Sequence, residues 1–180
     1  MKVIKLNSRI IKYKICDSEH GVHYYTLDLD RYQLSISGET TASYKWVETP
    51  QSESFLNLMI RCDKWYLLDK LFDKVFDVEA SIKSVIDYIK EYYEDEDSET
   101  LNSIIEEIDD IECNEMNYFV NSIEGILRNH YLPVECYDLY GCCNRKFKHW
   151  DEKAIDLFCE YIKPELRKDI ENELLCNDTL

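Results

Sequence analysis

Between Glu91 and Glu115 stand twelve carboxylates and no lysine or arginine. They are Glu91, Glu94, Asp95, Glu96, Asp97, Glu99, Glu106, Glu107, Asp109, Asp110, Glu112 and Glu115. Carboxylates at this density can hold a hard divalent cation or present a negative surface to a cationic partner. A block of like charge repels itself and disfavours the compact state, so it is either a plain solvated surface or a surface that meets something positive. Ordinary helix faces mix signs, because Glu four residues before Lys gains a few tenths of a kcal/mol. This segment forgoes that gain, and Glu106 and Asp110 repel at the same spacing.

The metal reading is the weaker one. Glu94-Asp95-Glu96-Asp97 is dense in oxygen ligands but lacks the spaced ligands and the glycine turn of an EF-hand loop. Cys136, Cys142, Cys143 and His149 carry some zinc flavour, yet without a C-x2-C knuckle they read more readily as a buried thiol cluster. No cofactor and no metal is expected. Four glycines in the whole chain speak against a phosphate-binding loop or a dinucleotide fingerprint. A Cys–His nucleophile has no supporting context, and eight cysteines with four histidines make chance pairings cheap. The chain therefore reads as a binding protein rather than an enzyme.

Composition narrows the partner. Thirty-seven acidic residues against twenty-one basic ones give a formal charge of -16 over 180 residues. Such a chain is a poor ligand for nucleic-acid phosphates, which attract basic footprints, and a natural ligand for basic protein surfaces. Two basic areas qualify this: Lys12 and Lys14 on the first strand, and Arg145, Lys146 and Lys148. Either could touch RNA, while Lys12 and Lys14 could equally protect a sheet edge. No membrane contact is expected, since no apolar run reaches the ~18 residues of a span. Met1-Lys2-Val3-Ile4-Lys5-Leu6 is followed by polar residues, so a cytosolic location in a host cell is expected, with its cysteines reduced. Cys16, Cys62, Cys113 and Cys159 then read as small buried hydrophobes.

The elements that must position these groups are an N-terminal sheet and a run of helices. Ile11, Tyr13 and Ile15 alternate with Lys12 and Lys14, and Tyr25, Leu27 and Leu29 alternate with Tyr24, Thr26 and Asp28. Tyr32-Leu34-Ile36 and Ala42-Tyr44-Trp46 continue the two-residue period. Connections this short permit only antiparallel neighbours. The spacing predicts a four-stranded meander over residues 1–48, with His20 and His23 beside its first, exposed turn.

From Thr49-Pro50, read as a helix start, the period becomes helical. About six helices are expected over 49–180, packed on the sheet as a single α+β domain spanning 1–180. Asp63 marks a break, and Asp77, Ser98, Asn114 and Asp151 read as caps, with Pro164 opening the last helix. Val78, Ile82, Val85, Ile86, Ile89 and Tyr93 form one apolar stripe. Leu101, Ile104, Ile105, Ile108 and Ile111 form another, which puts Glu99, Glu106, Glu107, Asp109 and Asp110 on the opposite face. Tyr92, Tyr93, Tyr118 and Tyr131 are candidates for exposed contact aromatics.

Ser43-Tyr44-Lys45-Trp46, Ser54-Phe55-Leu56 and Trp65-Tyr66-Leu67-Leu68-Asp69-Lys70-Leu71 together resemble a family of small proteins encoded by phages and prophages. Trp150 through Leu166, with Phe158, Tyr161 and Pro164, is similar to that family's closing segment. The likeness covers the first seventy residues and the last thirty, not the acidic middle, and its motifs speak for shared packing. It implies a phage or mobile-element origin. Small acidic proteins of that origin include inhibitors of host defence, among them anti-CRISPR proteins directed at Cas9-type nucleases, whose basic channels hold guide RNA and target DNA. On this reading Glu94, Asp95, Glu96, Asp97, Glu99, Glu106, Glu107, Asp109 and Asp110 oppose the lysines and arginines of such an effector, with or without its guide RNA. The alternatives are metal-dependent or effector-assisted processing of guide RNA, and a phage adaptor or assembly protein with no defence role.

Overall fold

A computed structural model describes residues 9–17, 21–47 and 54–177 of the chain. Two compact units emerge, residues 1–73 with 147–180 and residues 74–146. In the first, strands β1 (Ile10–Asp17), β2 (Gly21–Asp28), β3 (Gln33–Ser37) and β4 (Ala42–Lys45) form an antiparallel sheet in the order β1-β2-β3-β4. The expected meander is present. Tyr13 faces Tyr25, Leu27 faces Leu34 and Ile36 faces Ala42 across the strands. Their parity sends Tyr25, Leu27, Leu34 and Ile36 into the core.

The same parity corrects two expectations. His23 shares the register of Tyr25 and is fully buried, not an exposed turn residue. Cys16 falls with Lys12 and Lys14 on the outward face and is exposed, while Cys62, Cys113 and Cys159 are only partly buried. At the β3–β4 turn, a Cβ on Gly38 would lie 2.4 Å from the Val22 carbonyl oxygen, so glycine is required there.

Helices α1 (Phe55–Arg61), α2 (Lys64–Leu71), α7 (His149–Leu157) and α8 (Lys163–Asn177) complete this unit. The expected start at Thr49-Pro50 lies outside the described residues; α1 is capped by Ser54, whose hydroxyl accepts from the Asn57 N–H. Asp63 caps α2 through the Tyr66 N–H at 2.8 Å. Tyr25 donates its buried hydroxyl to the Ala154 carbonyl at 2.7 Å, and Lys64 pairs with Asp156 at 2.8 Å. Asp151 is not a cap. The helix begins two residues earlier, so this carboxylate lies buried in the first turn, near the positive helix end, and accepts from the Thr40 hydroxyl at 2.6 Å.

Nor does Pro164 open a separate helix. The helical run from His149 continues through a π-helical segment, Phe158–Ile162, directly into α8. Proline lacks an N–H and crowds the carbonyl four residues back, here Glu160. The wider π turn just before it lets the helix pass the proline without a break.

The second unit contains α3 (Val78–Tyr92), α4 (Ser98–Asp109), α5 (Met116–Asn129) and α6 (Cys136–Gly141). Its core is Val85, Ile89, Ile104, Ile108, Phe119, Val120, Ile123, Leu127 and Leu139, all fully buried. A two-stranded sheet, β5 (Val75–Asp77) with β6 (Asn144–Lys146), fastens its two ends. Asn144 locks that junction: its backbone N–H donates to Ser81 Oγ at 2.8 Å and its amide to Ser84 Oγ at 2.8 Å. Asp77 caps α3 as expected, through the Ala80 N–H, and pairs with Lys146 at 3.0 Å.

Candidate functional site: an acidic helix face

Helix α4 forms because Leu101, Ile104, Ile108 and Ile111 recur at helical spacing and pack into the second core. Its cap is Asp97, not Ser98. The Asp97 carboxylate accepts from the N–H groups of Glu99 (3.1 Å) and Thr100 (2.8 Å) and from the Thr100 hydroxyl (2.6 Å). A neutral serine cannot match that arrangement at the positive helix end. The Thr100 hydroxyl and these N–H groups hold the Asp97 carboxyl below its ordinary value. On the next helix Asn114 is likewise not the cap; Glu115 takes that position without a side-chain hydrogen bond.

All nine predicted carboxylates, Glu94, Asp95, Glu96, Asp97, Glu99, Glu106, Glu107, Asp109 and Asp110, are exposed. At about 100° per residue, Glu99, Glu106 and Asp110 lie within roughly 40° of one another, with Glu107 and Asp109 about 80° to either side. The apolar positions Ile104 and Ile108 are opposite and fully buried. Glu94, Asp95 and Glu96 occupy the turn leading into the helix, where the Glu96 N–H donates to the Tyr93 carbonyl at 3.1 Å. Among the described residues, no lysine or arginine pairs with any of the twelve carboxylates between Glu91 and Glu115. Glu107 shares a 2.7 Å hydrogen bond with His130. Asp109, at the border of the face, lines a groove of about 510 Å³ with Lys83 and Lys90 of α3.

The remaining candidates are placed elsewhere. Lys12 and Lys14 are exposed on edge strand β1, and the Lys14 ammonium lies 5.6 Å from the centre of the Tyr24 ring opposite. Arg145 is exposed on β6, whereas Lys146 is engaged by Asp77; Lys148 is exposed just before α7. Cys113, Cys136, Cys142 and Cys143 pack against the second core. Cys136 donates to Glu124 at 3.2 Å and Cys143 to the Leu139 carbonyl at 3.4 Å. Burial pushes the Cys142 and Cys143 thiols up, and the Glu124 hydrogen bond does the same for Cys136. Raised thiols stay protonated and are poor nucleophiles and poor ligands. Among the described residues no three histidine, cysteine or carboxylate side chains converge as a metal site.

Of the candidate aromatics, Tyr92, Tyr118 and Tyr131 are exposed, but Tyr93 is buried and donates its hydroxyl to the Pro133 carbonyl. Sequence reasoning missed Tyr88, which stacks on Tyr92 with ring centres 5.4 Å apart and planes 16° apart. The i, i+4 spacing of two tyrosines on one helix was the available signal.

The chain matches a phage family, Phage_phiTE_072, over residues 1–171, and belongs to it. That match runs through the acidic middle, which the motif likeness had left out. No match was found among curated proteins or among solved structures. The protein is thus a member of a phage family with an α+β fold. No helix among the described residues is long and apolar enough to cross a membrane.

Proposed function

We propose that this phage protein is an inhibitor that binds a basic, nucleic-acid-handling host effector, specifically a Cas9-type nuclease, through the α4 face and the Glu94–Asp97 turn. The observation that carries the reading is an exposed set of carboxylates on one ordered helix, unmatched by lysine or arginine of its own unit. Carboxylates fixed at helical spacing can occupy sites that a protein uses for phosphates, and the Asp97 cap holds the first turn in place for them. The phage family supports an origin in which blocking a host nuclease is useful; the Cas9 target itself rests on the motif resemblance. Nothing in the arrangement favours guide-RNA processing, since the described acids do not converge.

The test is the triple charge reversal Glu99→Lys, Glu106→Lys and Asp110→Lys, with helicity checked by circular dichroism. Affinity for a Cas9-type nuclease should fall by about tenfold or more, chiefly through a slower on-rate, and the wild-type complex should weaken steeply with added salt. Unchanged binding by the folded triple variant sinks the proposal. Shortened guide RNA after incubation with effector and Mg²⁺ would replace it with the processing reading.

A further inference from the structure

A second feature of the 74–146 unit lies at the C-terminal turn of α3. Tyr88, Tyr92, Pro133, Val134, Glu135 and Asp138 line a pocket of about 270 Å³, open to solvent. One wall is the stacked Tyr88–Tyr92 pair, and Tyr92 leaves 62% of its surface exposed. Facing it are the carboxylates of Glu135 and Asp138, both on exposed residues. Among the described residues neither makes an ion pair; Asp138 takes only a long 3.4 Å hydrogen bond from the Tyr88 hydroxyl. Burial and the neighbouring Asp138 charge push the Tyr88 hydroxyl up to about 12, so it stays a neutral donor to that carboxylate. The pocket also sits where the last α3 carbonyls present the negative end of the helix.

Flat π faces, two carboxylates and a negative helix end are complementary to one chemical group: a planar cation that stacks on a ring while donating to a carboxylate. The guanidinium of arginine does both, whereas an ammonium is a strongly hydrated point charge without a stacking face. We propose that this pocket receives an arginine side chain of the protein's partner, stacked on Tyr92 and paired with Asp138 and Glu135. The inference rests on the reading that the partner is a basic protein, and it adds a discrete anchor to the diffuse attraction of α4. Interface energy concentrates in such desolvated arginine–aromatic contacts, while rim charges mainly set the rate of encounter.

The probe is N-acetyl-arginine methylamide, titrated into the full chain while the tyrosine ring resonances are followed by NMR. Its citrulline counterpart, nearly the same shape without the charge, is the control. Arginine should shift the Tyr88 and Tyr92 rings in a saturable way, with citrulline at least fivefold weaker. Tyr92→Ala or Asp138→Asn should remove the response, each checked for fold by circular dichroism. Equal responses to arginine and citrulline, or an arginine response that survives both variants, overturn the pocket. The α4 triple reversal separates the two proposals: it should keep the arginine response while losing the partner. A lost partner with no arginine response in wild type condemns the pocket alone, and a retained partner with an intact arginine response condemns the acidic-face reading alone.

Discussion

The two units divide the charge of this protein unequally. Residues 74–146 carry eighteen acidic and six basic side chains, a formal charge of -12; the remainder carries nineteen and fifteen, or -4. In the sheet-containing unit several charges are engaged in the structure: Lys64 with Asp156, Arg9 with Asp30, Arg31 with Asp28, and buried Asp151 with Thr40. In the helical unit most carboxylates point to solvent, and the ion pairs with lysine or arginine are Asp77 with Lys146 and Glu124 with Arg128 among the described residues. Self-repulsion weakens a compact state, so a unit arranged this way sacrifices stability. A positive partner would recover that repulsion as attraction, which is why the proposed binding face is assigned to the second unit.

The largest effects should come from the cores, where the units behave alike. Phe119→Ala in the second unit and Phe158→Ala in the first each remove a fully buried ring and should cost about 3–5 kcal/mol in urea denaturation. A much smaller cost at Phe119 would mean that the acidic unit is loosely packed, and the comparison would then be one of order rather than of charge. Tyr25→Phe should cost about 0.5–1.5 kcal/mol, because the Ala154 carbonyl loses one of two donors and keeps the Phe158 N–H. Protection of that carbonyl's helix in hydrogen exchange should fall with it.

Acid should act on the second unit with a definite sign. Burial alone would raise the Asp77 carboxyl, but the Lys146 and Ala80 hydrogen bonds and the Lys146 charge hold it below its ordinary value, and Asp97 is held low by its Thr100 contacts. Depressed carboxylates contribute stability that is complete above the unfolded value, near pH 4, and lost as pH falls through the folded value. Asp77→Asn with Asp97→Asn should therefore flatten the stability–pH curve below about pH 4. An unchanged slope would show that these two joints do not govern the acid response.

The smallest effect is the most telling for function. Neutralising one repelling pair with Glu106→Gln and Asp110→Asn should stabilise the protein by a few tenths of a kcal/mol while weakening partner binding. A loss of stability instead would mean that these carboxylates serve the fold.

Much of the fold was legible because side-chain period reports which side of an element is apolar. Ile11, Tyr13, Ile15 and Tyr25, Leu27 defined their strands, and the α4 isoleucines defined both a buried stripe and the acid face opposite. Where two cap candidates adjoin, only the structure separates them: Asp97 prevails over Ser98 because its carboxylate reaches two N–H groups and a hydroxyl. The β5–β6 pair, three residues each, is too short to show a period, and the π segment ahead of Pro164 leaves no pattern at all.

What the amino-acid order determined by itself was the local material: a meander of alternating strands, amphipathic helices, and one helix face whose only charges are carboxylates. Only the tertiary structure decided which elements cover one another. It returned Phe147 and the closing helices to the sheet, enclosed Val75–Asp77 with Asn144–Lys146, and brought Tyr88 to Asp138 across fifty residues. The physical reason is that burial is non-directional: an apolar stripe specifies that it must be covered, while shape and chain connectivity select the element that covers it.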